Sequence, residues 1–271
     1  MIIIGEKING SIPSVAKAIA ARDADFLINL AKKQEDAGAT FIDVCASVDP
    51  EIEFETLKWM VEVIQDNIDT PLCIDSPNAD MLLDIIPICK KPGLFNSVSM
   101  EGTKVDHVFP VIANTKWECF ALLSDDKGIP KTAADRIRVF ENLMAKAKEY
   151  GIAPNRLHID PLVEMLCTSE NGIETVVEVI TYIKEHYPTI HISGAISNIS
   201  FNLPARKLVN MGFVTLAMNA GMDSGIFDPT DKTLLGIIYA TEALLGLDDF
   251  CMEYITAYRE ERIAPPAVKK A

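Results

Sequence analysis

The sequence predicts an α/β protein folded as a single (β/α)8 TIM barrel, and three observations carry that expectation. Short β-rich runs alternate with helical patterns from end to end. Several of these runs are continuously apolar, as parallel strands buried on both faces should be. The 271 residues suit one such barrel, and no stretch rich in Pro, Gly or Ser divides them. One domain spanning residues 1–271 is expected. An open doubly wound sheet is the alternative, but no G-x-G-x-x-G follows the first strand and "GEKING" has the wrong glycine spacing.

In chain order, the expected strands are Ile2–Ile4, Thr40–Ala46, Pro71–Ser76, Gly93–Ser97, Trp117–Leu123, Leu157–Asp160, Ile190–Ser197 and Val214–Asn219. A helix is expected at Asp25–Ala37, where Phe26, Leu27, Leu30, Ala31 and Gln34 recur on a helical period and Gly38 supplies a stop. Another covers Thr132–Tyr150. It opens with "TAAD", a variant capping box, carries a stripe of Ile137, Phe140, Leu143, Met144 and Ala147, and ends at Gly151. Further helices are expected at Glu53–Asn67, Ala79–Lys90, Lys104–Asn114, Ile173–His186, Arg206–Met211 and Lys232–Leu245.

Charge and composition narrow the function. A net charge of −14 argues against a nucleic-acid partner, which needs a basic stripe. Only the short apolar run Met1–Ile4 precedes Gly5, too little for a signal peptide, and no stretch reaches the roughly 18 apolar residues of a membrane span. A soluble, cytoplasmic protein without membrane partners is expected. The six cysteines form no C-x-x-C pair, and Cys45, Cys73 and Cys119 lie in apolar runs where thiols act as small hydrophobes. The four histidines lack ligand spacing, so no bound metal is expected.

In a barrel, polar residues at the C-terminal ends of strands face the mouth. Here those positions hold Glu6, Lys7 and Asn9 on strand one, Asp43 on strand two, Asp75-Ser76 on strand three, and Asn96 on strand four. Asp160 ends strand six, and Ser197-Asn198 end strand seven. Singly, each Asp or Asn reads as a turn former or helix cap. Asp43 lies within its strand, where a buried hydrogen-bond network would explain it. Together, carboxylates and amides without a Gly-rich phosphate loop suit a neutral heteroaromatic ligand such as a pterin. A buried carboxylate can accept two parallel bonds from a 2-amino group and the adjacent ring N–H.

At these residues, "IIGEKING", "CIDS", "FNS", "HIDPL" and "SNIS", the chain resembles the methyltetrahydrofolate:corrinoid protein methyltransferases. They belong to the wider pterin-binding barrels, with the folate module of methionine synthase and dihydropteroate synthase. The resemblance runs in order from Ile2 to about Cys251. It implies a homodimeric barrel that takes tetrahydrofolate or 5-methyltetrahydrofolate as substrate. Asp75, Asn96 and Asp160 would hold the pterin, Asn198 would reach N5, and Ile226 would pack near the ring. Cobalamin would be carried by a partner corrinoid protein that docks over the mouth.

The sequence departs from the family in places. Phe201 stands where a Gln is common, with Asn202 next. Cys45 replaces an amide, and Asn219 stands where small or apolar residues are usual in strand eight. Glu6, Asn9, Asp43, Ser197, Phe201, Asn202 and Asn219 are therefore further candidates for the mouth. The departures around Asn198 favour transfer from a methylcorrinoid to tetrahydrofolate in a demethylation system. The alternative is methyltetrahydrofolate feeding a corrinoid iron–sulfur protein in the acetyl-CoA pathway. Dihydropteroate synthase would need a basic "SRK"-type strand motif that is absent, while Arg206 and Lys207 fall in a helix pattern. A non-catalytic folate-binding barrel is the remaining reading.

Overall fold

A computed structural model describes residues 1–263. Eight parallel strands form one sheet: β1 (Ile2–Asn9), β2 (Phe41–Cys45), β3 (Leu72–Asp75), β4 (Leu94–Met100), β5 (Glu118–Asp125), β6 (Leu157–Asp160), β7 (His191–Ile192) and β8 (Ser224–Phe227). Each strand from β1 to β6 pairs with the next, and β1 also pairs with β8. The ring closes between β7 and β8, where Asp223 N donates to Ile192 O at 3.3 Å and Ile226 N to Gly194 O at 2.9 Å. The (β/α)8 expectation holds.

Among the described residues, ten helices surround the ring: α1 (Pro13–Ala20), α2 (Ala24–Asp36), α3 (Pro50–Gln65), α4 (Ala79–Ile85), α5 (Lys104–Ala113), α6 (Ala133–Tyr150), α7 (Glu174–His186), α8 (Arg206–Ala220), α9 (Lys232–Leu244) and α10 (Met252–Arg259). The outward strand residues, such as Ile42, Ile74, Phe95 and Ile159, share a core with the apolar stripes of these helices. Local chemistry sets the ends of α6. The Thr132 side chain accepts from Asp135 N, and Gly151 takes the left-handed conformation at φ 74°.

Three layers fill the barrel. Ile4, Phe41, Cys73, Leu94 and Phe120, one from each of β1 to β5, form an apolar middle layer. Below it, His158 pairs through Nε2 with Glu118 (2.7 Å) and through Nδ1 with Ser224 (3.1 Å). The His158 ring lies 4.9 Å from that of His191, which pairs with Asp223. Above the middle layer, the same inward faces carry Asp43, Asp75, Asn96 and Asp160.

Two expected strands need correction. Val214–Asn219 is not strand eight but the second half of α8, which runs on past Met211. Phe213, Val214, Ala217 and Met218 are its buried residues, at helical spacing, and Gly221 ends it at φ 120°. A short apolar run does not reveal its period, and here tertiary packing chose the helix. Asn219 is therefore exposed on α8, beside a groove against α7. Strand seven is also shorter than Ile190–Ser197, because Ile196–Ser200 coils into one 3-10 turn. α1 and α10 were not expected from the sequence.

The loop after β6 hangs on one buried arginine. Arg136 on α6 donates through Nη1 to Pro161 O (2.6 Å) and Leu162 O (2.7 Å), and through Nε to Pro130 O (3.0 Å), and it pairs with Glu164. Arg136→Met strands these carbonyls. It should lower stability by about 1–3 kcal/mol, the cost of unsatisfied buried polar groups, as read by urea unfolding.

Candidate functional site

A cavity of about 560 Å³ opens at the C-terminal end of the barrel. Its lining draws Glu6, Lys7 and Asn9 from β1, Asp43 from β2, Asp75 from β3, Asn96 and Ser97 from β4, Leu122 from β5 and Ile226 from β8. The 3-10 turn after β7 adds Ser197 and Asn198, followed by Phe201. Of the residues expected at the mouth, these eleven line one cavity: Glu6, Asn9, Asp43, Asp75, Ser76, Asn96, Ser197, Asn198, Phe201, Ile226 and the basic Lys7.

Strand alternation alone would let only one of two successive residues face inward. Two bulges relax that rule. Between β1 and β2 the register runs Gly5 to Ile42 and then Ile8 to Val44, so Glu6 and Lys7 share the space of one residue. Between β4 and β5 it runs Asn96 to Phe120 and then Val98 to Ala121, so Ser97 is the extra residue. Glu6 with Lys7, and Asn96 with Ser97, thereby reach the same cavity. Gly5 serves the first bulge, since a Cβ there would lie 2.5 Å from Gln34 Oε1, which accepts from Lys7 N at 3.0 Å.

Carboxyls crowd this mouth. Asp43 is buried, and burial together with the charge of Asp75 pushes its carboxyl well above the ordinary range. Asn96 Nδ2 approaches Asp43 Oδ1 at 3.5 Å. Burial likewise raises Asp75, with Glu53 adding to the effect and a hydrogen bond from Cys45 opposing it. Each charge makes the other harder to form, so this pair holds its protons more tightly than exposed carboxyls do. Burial first, and then Asp228, raises Glu6 from 4.5 to about 7, with Lys7 and Arg206 pulling it back. Lys7 forms an ion pair with Asp228 at 3.1 Å.

Asp160 stands beside this lining rather than in it. It is buried, accepts from Leu162 N at 2.7 Å, and is pushed up to about 6 by burial. Gly194 passes so near that a Cβ there would sit 3.4 Å from Asp160 Oδ1. Asn202 is exposed outside the lining, with φ 63° and its amide 3.6 Å from Met165 Sδ, so it turns the chain. Asn219 lies on the outer helix and has no place at the mouth. Ser97 and Ala195 also line the cavity and leave no local signal in the sequence, one set by a bulge and the other by a closure contact, whereas Leu122 faces inward by simple alternation with Phe120.

A polar ring thus lies above a packed apolar layer at the open end of a (β/α)8 barrel. The chain belongs to the pterin binding enzyme family, whose profile matches residues 5–228. The methylcorrinoid:tetrahydrofolate methyltransferase of Eubacterium limosum is 48% identical over 271 residues, 99% of this chain and 100% of that relative. The methionine synthase of Mycobacterium tuberculosis is 25% identical over 240 residues, 83% of this chain but only 20% of its own length. A dihydropteroate synthase structure from Yersinia pestis, solved with a sulfonamide drug, superposes with TM-score 0.66 at 14% identity, covering 91% of this chain and 94% of that one. That likeness shows the fold alone.

The Glu6 shift has a testable sign. Between pH 4.5 and about 7 the folded chain keeps a proton on Glu6 that the unfolded chain has released, so Glu6 makes stability fall as pH rises through that window. Glu6→Gln should remove this part of the fall. Thermal melts of both proteins below and above the window check it.

Proposed function

We propose that this enzyme moves a methyl group from the cobalt of a corrinoid, carried by a separate protein, to N5 of tetrahydrofolate. The observation that carries this reading is the 48% identity, over the full length of both chains, to a relative named for that reaction. The chemistry of the mouth supports it. Asp75 and Asn96, with Asp160 beside them, suit a pterin, whose 2-amino group and ring N–H can donate in parallel to one carboxylate. Ile226 offers an apolar contact for the ring face.

Asn198 is assigned to N5. In the proposed direction N5 is a secondary amine that attacks the methyl carbon. The N–C bond forms as the cobalt–carbon bond breaks with its electron pair left on the corrinoid, and the N5 proton is released to solvent. The corrinoid supplies an electrophilic methyl group. The Asn198 amide can accept from the N5 proton, which aims the lone pair at the incoming carbon. In reverse, the methylated amine is a poor electrophile, and an amide N–H donated to N5 helps as charge develops there. On this reading the corrinoid protein docks over the barrel mouth, the whole chain acts as one domain, and two copies pair as a homodimer.

Pyrophosphate chemistry of the dihydropteroate synthase type finds less support. Lys207 is engaged by Asp231 at 2.8 Å, and Arg206 by the turn after β7. Spectroscopic assays with methylcobalamin and tetrahydrofolate, and with cob(I)alamin and methyltetrahydrofolate, test the reaction and its direction. Tight folate binding without transfer in either assay would leave a non-catalytic barrel.

Asn198→Ala should slow methyl transfer by about 10- to 1,000-fold, the span of lost electrostatic or proton-transfer help. Asp160→Asn should instead weaken folate binding, read by calorimetric titration with tetrahydrofolate. Parental transfer rates in Asn198→Ala would remove its assigned role.

A further inference from the structure

Asn198 rides on a single 3-10 turn, Ile196–Ser200, whose first residue has no side-chain cap. Within and just beyond the turn, Asn198 N donates to Ala195 O (3.1 Å), Phe201 N to Asn198 O (3.2 Å) and Leu203 N to Ser200 O (3.1 Å). One isolated turn is a weak support for a group that must be aimed. Arg206, the first residue of α8, compensates from outside. Its Nη2 donates to Ser197 O at 2.8 Å, and its Nε donates to Ser200 Oγ at 3.0 Å. Ser200 Oγ in turn donates to Ser197 O at 3.1 Å. The guanidinium also lies over the Phe201 ring, 4.6 Å from its centroid.

These contacts bracket Asn198 on both sides. The chain reaches this geometry through two left-handed residues, Asn202 at φ 63° and Ala205 at φ 51°, on either side of Leu203-Pro204. Such backbone persists only where its surroundings hold it. We infer that Arg206 is a positioning residue for methyl transfer, clamping both ends of the turn that presents Asn198 to the barrel mouth. This rests on the reaction proposed above. It also gives Phe201, the departure from the Gln common in the resembling family, a role as the stacking surface for the clamp. A planar fork can hold a carbonyl, a hydroxyl and a ring face together, which an ammonium cannot.

The test compares Arg206→Met, which keeps much of the stem but loses the fork, with Arg206→Lys. Amide exchange of Asn198, Phe201 and Leu203 should quicken by about tenfold or more in Arg206→Met, with the barrel strands unchanged. Calorimetric affinity for tetrahydrofolate should stay within about threefold, while kcat with methylcobalamin falls about tenfold or more and KM holds. Arg206→Lys should restore part of both losses. Unchanged exchange in Arg206→Met overturns the clamp, and so does a loss confined to KM or matched by weaker folate binding. If the parental enzyme transfers no methyl group, the proposed reaction fails, and the exchange measurement still decides whether Arg206 holds the turn.

Discussion

Alternation of side chains along a strand is the constraint on which this molecule is built. In a closed ring, every second residue must face the axis, and the space there is fixed. The inward faces of β1 to β6 meet that demand by changing character with height. Polar pairs fill the lower end, Ile4, Phe41, Cys73, Leu94 and Phe120 fill the middle, and carboxyls and amides fill the top. The site is the upper end of that series. The two bulges, at Glu6-Lys7 and at Ser97, are the departures that crowd more polar side chains into it than alternation allows.

Crowding has an electrostatic result. Asp43, Asp75 and Glu6 each resist ionisation, chiefly because burial removes them from water, and their neighbours are largely other carboxyls. The nearby cations, Lys7 and Arg206, have other engagements. Lys7 holds Asp228, while Arg206 spans Ser197, Ser200 and Phe201. The carboxyls of this mouth are therefore harder to ionise than exposed ones. An anionic headgroup would meet the opposite of what it needs.

Much of this was legible in the sequence. Buried parallel strands announce themselves as apolar runs, and their polar residues mark the mouth, so the strand pattern alone points to Asp43, Asp75, Asn96 and Asn198. Capping chemistry at Thr132 and Gly151 was equally readable, because it acts over three or four residues. What stayed hidden depends on contacts across the fold. The period of Val214–Asn219 was settled by packing against neighbouring helices, which moved Asn219 to the outside. Asp160 was correctly read as a strand end, yet its place beside the lining follows from Gly194 and the left-handed Leu162. Arg206 was read as a helix residue. Its reach back over the turn needed the bend at Asn202 and Ala205.

The apolar middle layer also separates two chemical compartments. Above it, carboxyls face a cavity open to solvent. Below it, His158 is sealed between Glu118 and Ser224, and burial holds its ring below the ordinary imidazole range. Five packed side chains carry no proton between the two ends. The layer thus works as a proton barrier across the barrel: the carboxyls of the mouth exchange protons with solvent, and the imidazole of the foot has no route to them.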